Sequence, residues 1–512
     1  MISSLIKHVF HHRWFVLGFA LVVMGLPKMQ KSDKLPPVRY NFARHTLKFW
    51  LPGTGTLANL QIIMQKIACL TVCISFLFVS FSQAADSEPQ RQYPSALDMP
   101  QEKKEQEQAE KQVDAFERFS LEFYRRLIDD KTKRNENVVC SPWSAAVALT
   151  MLYEGANAET AEEIQKTLRF QGDSEAFEEF LFMVENSAGQ KAWETPLIIE
   201  TANAFVMKAD YPFHESYKQL LRDRFLAELF TVDFKGHSTE AVKAINQWCS
   251  EHTHGEIKEL LTEVPADAIA SIMNAIYFKA QWRTVFETKN TKPERFRLAD
   301  GSISNTSMMN LKKTYFDYYE TKGFKALSMP YDGNAHMLIL LPDETDGLAN
   351  LEKSLTSEML RKIDETINYE LVNVKLPRFE FEHKEDLTLP LRKMGIESVF
   401  VGEKADLSKL TDRKDVFIGA AIQKAIVRVD ETGTVAAAIT GMELIAIGEG
   451  PSVRPKVYTF YADHPFLFLI RENTDNSILF IGRVHQPEQA KGRVAGPIIE
   501  RLRSRVEERR AR

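Results

Sequence analysis

A β-type run, Ala425-Ile426-Val427-Arg428-Val429, leads without a break into Asp430-Glu431-Thr432-Gly433-Thr434-Val435-Ala436-Ala437-Ala438-Ile439-Thr440. A loop that only had to be soluble would be richer in polar turn formers. This one has a glycine followed by small, uncharged or β-branched residues. With the period of two that strands impose, one face from Thr434 holds Thr434, Ala436, Ala438, Thr440, Met442, Leu444 and Ala446, and the other holds Val435, Ala437, Ile439, Gly441, Glu443 and Ile445. The first face can be buried without taking a charge into the core. This stretch can be a loop and can also be a strand.

The sequence has 512 residues, longer than most single domains, and part of that length reads as leader, linker and tail. A net charge of -5 gives no global signal for nucleic-acid binding, and 44% hydrophobic residues suffice for one large core. Of four cysteines, Cys69 and Cys73 fall in the leader, which leaves Cys140 and Cys249. No disulfide framework is expected. Two buried free thiols are preferred to a Cys140–Cys249 bridge, because free cysteine is commonly buried.

Residues 1–84 read as a leader. Within it, Met64-Gln65-Lys66, the apolar run Ile67–Phe81 and Ser82-Gln83-Ala84 have the basic start, apolar middle and small-residue cleavage site of a signal peptide over residues 64–84. Secretion is expected, with either Met1 or Met64 as initiator. A membrane anchor at Trp14–Leu26 is the competing reading, and that run falls short of the roughly 20 apolar residues a span needs. No stable membrane insertion is expected. Residues 85–112 read as a polar linker, and Val113, Phe116, Phe119, Phe123 and Leu127 then recur at helical spacing.

Ser141-Pro142 opens a second helix, with Ser141 as cap and Pro142 in the first turn. A further helix begins near Asn157. Strand-like runs follow at Ala202–Met207, Ser271–Phe278, Met337–Leu341, Leu371–Leu376 and Phe466–Ile470. Helices first and strands later argue an α+β domain over 113–487. The arginine-rich tail, 488–512, reads as a solvated segment, with polyanion binding as the alternative.

No Gly-x-Ser-x-Gly elbow or His-Glu-x-x-His motif is present. His252-Thr253-His254 lacks a further ligand at useful spacing, so no metal and no cofactor is expected. Asn305-Thr306-Ser307 is an N-glycosylation acceptor on a secretory route. The chain offers no active site and is not expected to be an enzyme; it offers a bait-like loop.

Asn274-Ala275-Ile276-Tyr277-Phe278-Lys279-Ala280-Gln281-Trp282, followed by Phe286, resembles a strand signature of the serpin family, with Ala280 where glycine is usual. Ser141-Pro142-Trp143-Ser144, Leu152-Tyr153-Glu154-Gly155-Ala156, Leu376-Pro377-Arg378-Phe379, Ala405-Asp406-Leu407-Ser408, Asp463-His464-Pro465-Phe466 and Phe480-Ile481-Gly482-Arg483-Val484 are similar to further serpin blocks in the same order. The resemblance covers Val113 to Pro487. It implies three β-sheets, eight or nine helices and an exposed reactive loop at about residues 431–456.

The resemblance further implies a secreted, monomeric inhibitor of an extracellular serine protease. The protease acylates itself on the loop, and the loop inserts into the central sheet before water releases the enzyme. Glu431, Gly433, Thr434, Ala436, Ala437 and Ala438 would form the hinge. Ser141, Ser144, Asn274, Trp282, Arg378 and Gln423 would line the sheet opening and loop entry, with Arg378 pairing to Glu431. Gln423 stands where many members carry a histidine. Val435 and Ile439 replace the usual glutamate and alanine on the face expected to point outward, where little harm is expected.

Family spacing puts the scissile bond at Ile447–Gly448, an elastase-like or broad choice. Ala446–Ile447 is a neighbouring alternative, and a longer loop would use Arg454, a trypsin-like choice. Pro451 disfavours the longer loop because it removes a ladder hydrogen bond. The competing functional reading is a non-inhibitory serpin, a carrier or chaperone, which tends to place charged or bulky residues on the inserting face.

Overall fold

The computed structural model describes residues 100–487 apart from 131–132, 171, 173, 189–197, 210, 226, 233–237, 263–268 and 435–454. The leader and its signal peptide, the tail from 488, Ala436 to Ala438, Ala446, Ile447, Gly448 and Arg454 lie outside the described residues.

Helix α1 (Pro100–Ile128) buries Phe116, Phe119, Phe123 and Leu127 on one face. It starts inside the stretch expected to be linker. Pro100 suits a first helical position, and the Glu, Lys and Gln that follow are good helix formers, so low hydrophobicity there does not mean absence of structure. From Gln112 onward one face is buried. Strand β1 (Val138–Cys140) leads to α2 (Pro142–Gly155), whose cap Ser141 accepts a 3.1 Å hydrogen bond from Ser144 N. Nearly every residue of α2 is buried, which makes it the central helix of the main core. Then come α3 (Ala158–Leu168), α4 (Ser174–Ala188), β2 (Ile198–Lys208), α5 (Glu215–Phe225), β3 (Glu228–Val232), α6 (Ser238–His252) and β4 (Ala270–Gln281).

The second half supplies β5 (Lys292–Arg297), β6 (Ile303–Thr321), β7 (Phe324–Pro330), β8 (Ala335–Pro342), α7 (Leu348–Ser354), α8 (Ser357–Thr366), β9 (Asn368–Pro377), β10 (Phe379–Asp386) and α9 (Thr388–Met394). It ends with β11 (Ile418–Val429), β12 (Gly433–Thr434), β13 (Val457–Tyr461), β14 (Phe466–Glu472) and β15 (Ile478–Val484). Nine α-helices stand among the described residues, within the expected eight or nine.

Two hydrogen-bonded sheets result. One has the order β10-β11-β4-β2-β3, with β12 added beside β4; the other runs β1-β15-β14-β8-β7-β6-β9-β13, with β5 beside β6. Two of the three expected sheets are thus continuous through the 19-residue β6, which changes register between Leu311 and Thr314 and carries Lys313 at φ +51°. Such a bulge bends the strand and lets it serve two sheets.

The main core lies on one face of the smaller sheet, around α2. A second core lies on the other face, between β4, β11, β2, β3 and α6. Cys140 belongs to the first core and Cys249 to the second, so the two free, buried thiols sit on opposite sides of a sheet. Burial pushes the Cys249 thiol up to about 12 and Cys140 well above its usual range. No helix among the described residues is long and apolar enough to cross a membrane. Among the same residues, no group of three or more His, Cys, Asp or Glu could hold a metal ion. Asn305 is exposed on β6.

Candidate functional site

At Val429, β11 ends and the chain turns back on itself. Asp430 N donates to Gly433 O at 2.9 Å, and Asp430 Oδ1 accepts from Thr432 N at 2.9 Å and Thr432 Oγ1 at 2.6 Å, closing a tight turn. Gly433 sits at φ +142°, and a Cβ there would lie 2.2 Å from Ala280 O and 2.6 Å from Gln281 Cα. Both the backbone angle and the close approach exclude a side chain, so the glycine is a steric requirement as well as a source of freedom.

The turn is anchored on three sides. Trp282 N donates to Thr432 O at 2.8 Å, Phe286 N to Glu431 O at 2.7 Å, and Trp282 Nε1 to Asp430 O at 3.1 Å. Trp282 is buried and stacks on Tyr331, ring centroids 4.4 Å apart. Glu431 is 4% exposed and forms the expected ion pair with Arg378, whose Nε donates to Oε2 at 3.0 Å and whose Nη2 donates to Oε1. Thr291 Oγ1 donates to Oε1 at 2.6 Å. Burial alone would raise the Glu431 carboxyl, but the hydrogen bonds from Arg378 and Thr291 outweigh it and hold the group below its usual range.

Beyond the turn, β12 pairs antiparallel with β4, Gly433 opposite Gln281 and Thr434 opposite Ala280. Below it, β4 and β11 pair with each other in parallel from Ile418/Ala270 to Ile426/Tyr277. β4 and β11 thus form a closed seam.

The seam is locked from the main-core side. Gln423 and Asn274 are register partners, and Gln423 Nε2 donates to Asn274 Oδ1 at 2.9 Å. Gln423 also closes a two-way bond with the backbone of Ser141: its Nε2 donates to Ser141 O and its Oε1 accepts from Ser141 N, both at 3.0 Å. Asn274 Nδ2 donates to Ser144 Oγ and, at 2.6 Å, to Asn203 Oδ1; Ser141 Oγ donates to Leu479 O at 2.7 Å. All these side chains are buried. The network ties β2, β4 and β11 to the start of α2. Gln423 spans the distance unaided, so its difference from the usual histidine leaves the seam bridged.

The structure thus brings together Ser141, Ser144, Asn274 and Gln423 at the seam, and Trp282, Arg378, Glu431 and Gly433 at the turn. Two participants escaped the sequence reading. Asn203 lies on the run read as a strand from Ala202, and its partnership with Asn274 follows from register alone. Thr291 has no sequence signal that marks it. His252 Nδ1 makes a 2.9 Å hydrogen bond with Trp248 O, an ordinary structural contact.

The family model described as Serpin (serine protease inhibitor) matches residues 114–487. A leukocyte elastase inhibitor of Sus scrofa is 36% identical over 381 residues, covering 72% of this chain and 98% of the relative. Among solved structures, human thyroxine-binding globulin complexed with thyroxine superposes with a TM-score of 0.67 at 26% identity, covering 75% of this chain and all of the other. The thermophilic serpin tengpin in its native state gives 0.65 at 28% identity, covering 73% and 94%. With the matched model spanning most of the chain, and the closed seam and turn in place, this chain belongs to the serpin family.

Proposed function

We propose that the chain is a secreted suicide-substrate inhibitor that traps an extracellular serine protease by inserting residues 434–444 between β4 and β11. The observation that carries this reading is the register of β12. Each residue further along the loop meets the residue one earlier in β4, so Ala436 comes opposite Phe278, Ala438 opposite Ile276 and Thr440 opposite Asn274. Opposed residues in an antiparallel pair share a face. Ala280, Phe278 and Ile276 belong to the main core, so the small residues of the loop arrive on the core side.

Thr440 arrives where Gln423 now bonds Asn274, and its hydroxyl replaces a partner as the seam parts. On the other face, Ile439 comes opposite Ala275, which is fully buried under α6, so this residue gains packing rather than facing water. An added strand matching the twelve residues of β4 spans about 40 Å, enough to carry an attached enzyme from one end of the sheet to the other.

In the trapping reaction, the enzyme's serine oxygen attacks the carbonyl of the residue before the scissile bond. That peptide bond breaks, the new amine takes the proton, and the acyl-enzyme is left on the hinge side. We place the bond at Ile447–Gly448; the elastase specificity in the names of the Sus scrofa and Bos taurus relatives favours an apolar residue there over Arg454. Secretion rests on the leader at 64–84, glycosylation on exposed Asn305, and polyanion contact on the tail 488–512; the inhibitor acts as a monomer.

Incubation with elastase-like and trypsin-like proteases, followed by a boiled denaturing gel and sequencing of the released peptide, tests this. A linked band and a new N-terminus at Gly448 are expected. Cleavage with no linked band and no gain in thermal stability makes the chain a non-inhibitory serpin, and a new N-terminus at Pro455 moves the bond to Arg454.

A further inference from the structure

The face of the seam turned away from the main core is covered. After α6, residues 253–262 form a strap whose Ile257, Leu260 and Leu261 share one buried cluster with Met273 and Ala275 of β4 and with Ile426 of β11, the strands on the two sides of the seam. Asn246 staples this strap to α6: its Nδ2 donates to Leu261 O at 2.7 Å, and its Oδ1 accepts from Leu260 N at 2.8 Å and Leu261 N at 2.9 Å. Helix and strap are therefore joined into one cover. The space beneath it is the space that Ala437, Ile439 and Gly441 need on insertion.

Two side chains of β11 hold the cover. Lys424 Nζ donates to Glu259 O at 2.7 Å. Arg428 Nη2 reaches Glu256 Oε2 on the strap at 3.2 Å and Glu380 Oε1 on β10 at 2.5 Å. The Arg428 side chain is 13% exposed and that of Glu256 14%, so the pair is little screened by solvent. Burial works against the guanidinium charge, but the bond to Glu380 and the fields of both carboxylates hold its proton more tightly than usual. An arginine can bridge carboxylates on two elements because its donors lie in a rigid fork.

We propose that Arg428 is a latch that clamps the cover over the seam, sets the rate at which the seam opens, and so divides the acylated loop between trapping and hydrolysis. The latch exists in the closed state and breaks before a strand passes, so removing it lowers the barrier to insertion. The proposal rests on the inhibitor reading above and names a positioning residue for it: Arg428 touches neither the protease nor the scissile bond.

The test compares the wild type with Arg428→Met, Arg428→Lys, Glu256→Gln and the Arg428→Met/Glu256→Gln double variant. The loop is first cut with a metalloprotease, which forms no acyl-enzyme, and the gain in thermal stability is followed in timed samples. Glu256→Gln, which weakens one charged hydrogen bond, is expected to insert on the order of tenfold faster, and Arg428→Met, which also loses the bond to Glu380, at least as fast. The double variant should be no faster than Arg428→Met, and Arg428→Lys, which keeps the charge without the fork, should lie between Arg428→Met and the wild type. With the target protease, the two single variants should leave a smaller share of cleaved, unlinked inhibitor.

A wild type that gains stability on cleavage while both single variants insert within twofold of it overturns the latch and leaves the inhibitor reading standing. Independent, multiplying effects of the two substitutions also overturn it, since residues that act as one pair are not additive. Absence of any stability gain in all five proteins removes the inhibitor reading and the latch together. Glu256→Gln keeps the side-chain shape and serves as the readout if Arg428→Met folds poorly.

Discussion

The start and the middle of the path that the loop would follow are built in opposite ways. At the turn, the contacts fix the start of that path: Gly433 lets the backbone lie against Ala280, Glu431 is gripped by Arg378 and Thr291, and β12 pairs antiparallel with β4. In the middle of the seam, every contact favours staying shut. Gln423 bonds Asn274 and Ser141 on one side and Lys424 holds the cover on the other, while Arg428 holds it two residues past the last β4–β11 pair. On the proposed mechanism, a sheet primed at one end and locked in the middle would stay closed until loop cleavage freed the strand, and would then open in one direction.

Substitutions at the turn should therefore impede insertion, and substitutions in the seam should hasten it. The largest effect is expected from Ala438→Glu. It would carry an unpaired charge opposite Ile276, which is fully buried, at a cost of about 3 kcal/mol or more to the inserted state. Roughly a hundredfold less linked complex should appear on the denaturing gel, with cleavage of the loop continuing.

Next is Gly433→Val, where the side chain meets Ala280 O and a β-branched residue is forced to positive φ. A loss of about 2–3 kcal/mol in chemical denaturation is expected, together with less complex. Unchanged trapping would show that β12 is not the starting point.

Arg378→Glu leaves the buried Glu431 facing a like charge, and a loss of about 2 kcal/mol with reduced trapping is expected. Stability and inhibition both untouched would break the claim that the turn is clamped. On the locked side, Gln423→Ala removes bonds to Ser141 and Asn274. It should cost the closed state about 1–2 kcal/mol and accelerate stability gain after loop cleavage; a slower gain would reverse the role assigned to the seam.

The smallest effect is with pH. Because the folded carboxyl of Glu431 lies below its ordinary value, its contribution is fully present above the unfolded value and is lost as pH falls through the folded one. The melting temperature of the wild type should drop more steeply below about pH 4.5 than that of Glu431→Gln, which has no carboxyl to protonate there. Parallel acid limbs would assign the acid sensitivity elsewhere.

Much of this was legible from residues. The alternation from Thr434, the buried helix opened by Ser141-Pro142, and the pairing of Arg378 with Glu431 follow from pattern or from family resemblance. Asn203, Thr291 and the Arg428 bridge did not show, because each gains its meaning from a partner far along the chain: Asn203 from Asn274, Thr291 from Glu431, Arg428 from Glu256. The linker expected at 85–112 gave way to helix from Pro100 because polarity and helix propensity are independent properties.

Periodicity reports which residues of an element share a face, so the sequence by itself determined the small, uncharged face of the loop, the α+β class and the membership of a family. It does not report which strands stand side by side. The joining of two sheets through β6, the closing of β4 against β11, and the placing of Arg428 between a strap and a neighbouring strand were decided only by the tertiary structure. Register and strand order bring those charges together, and a shift of one residue would turn each of them to the opposite face.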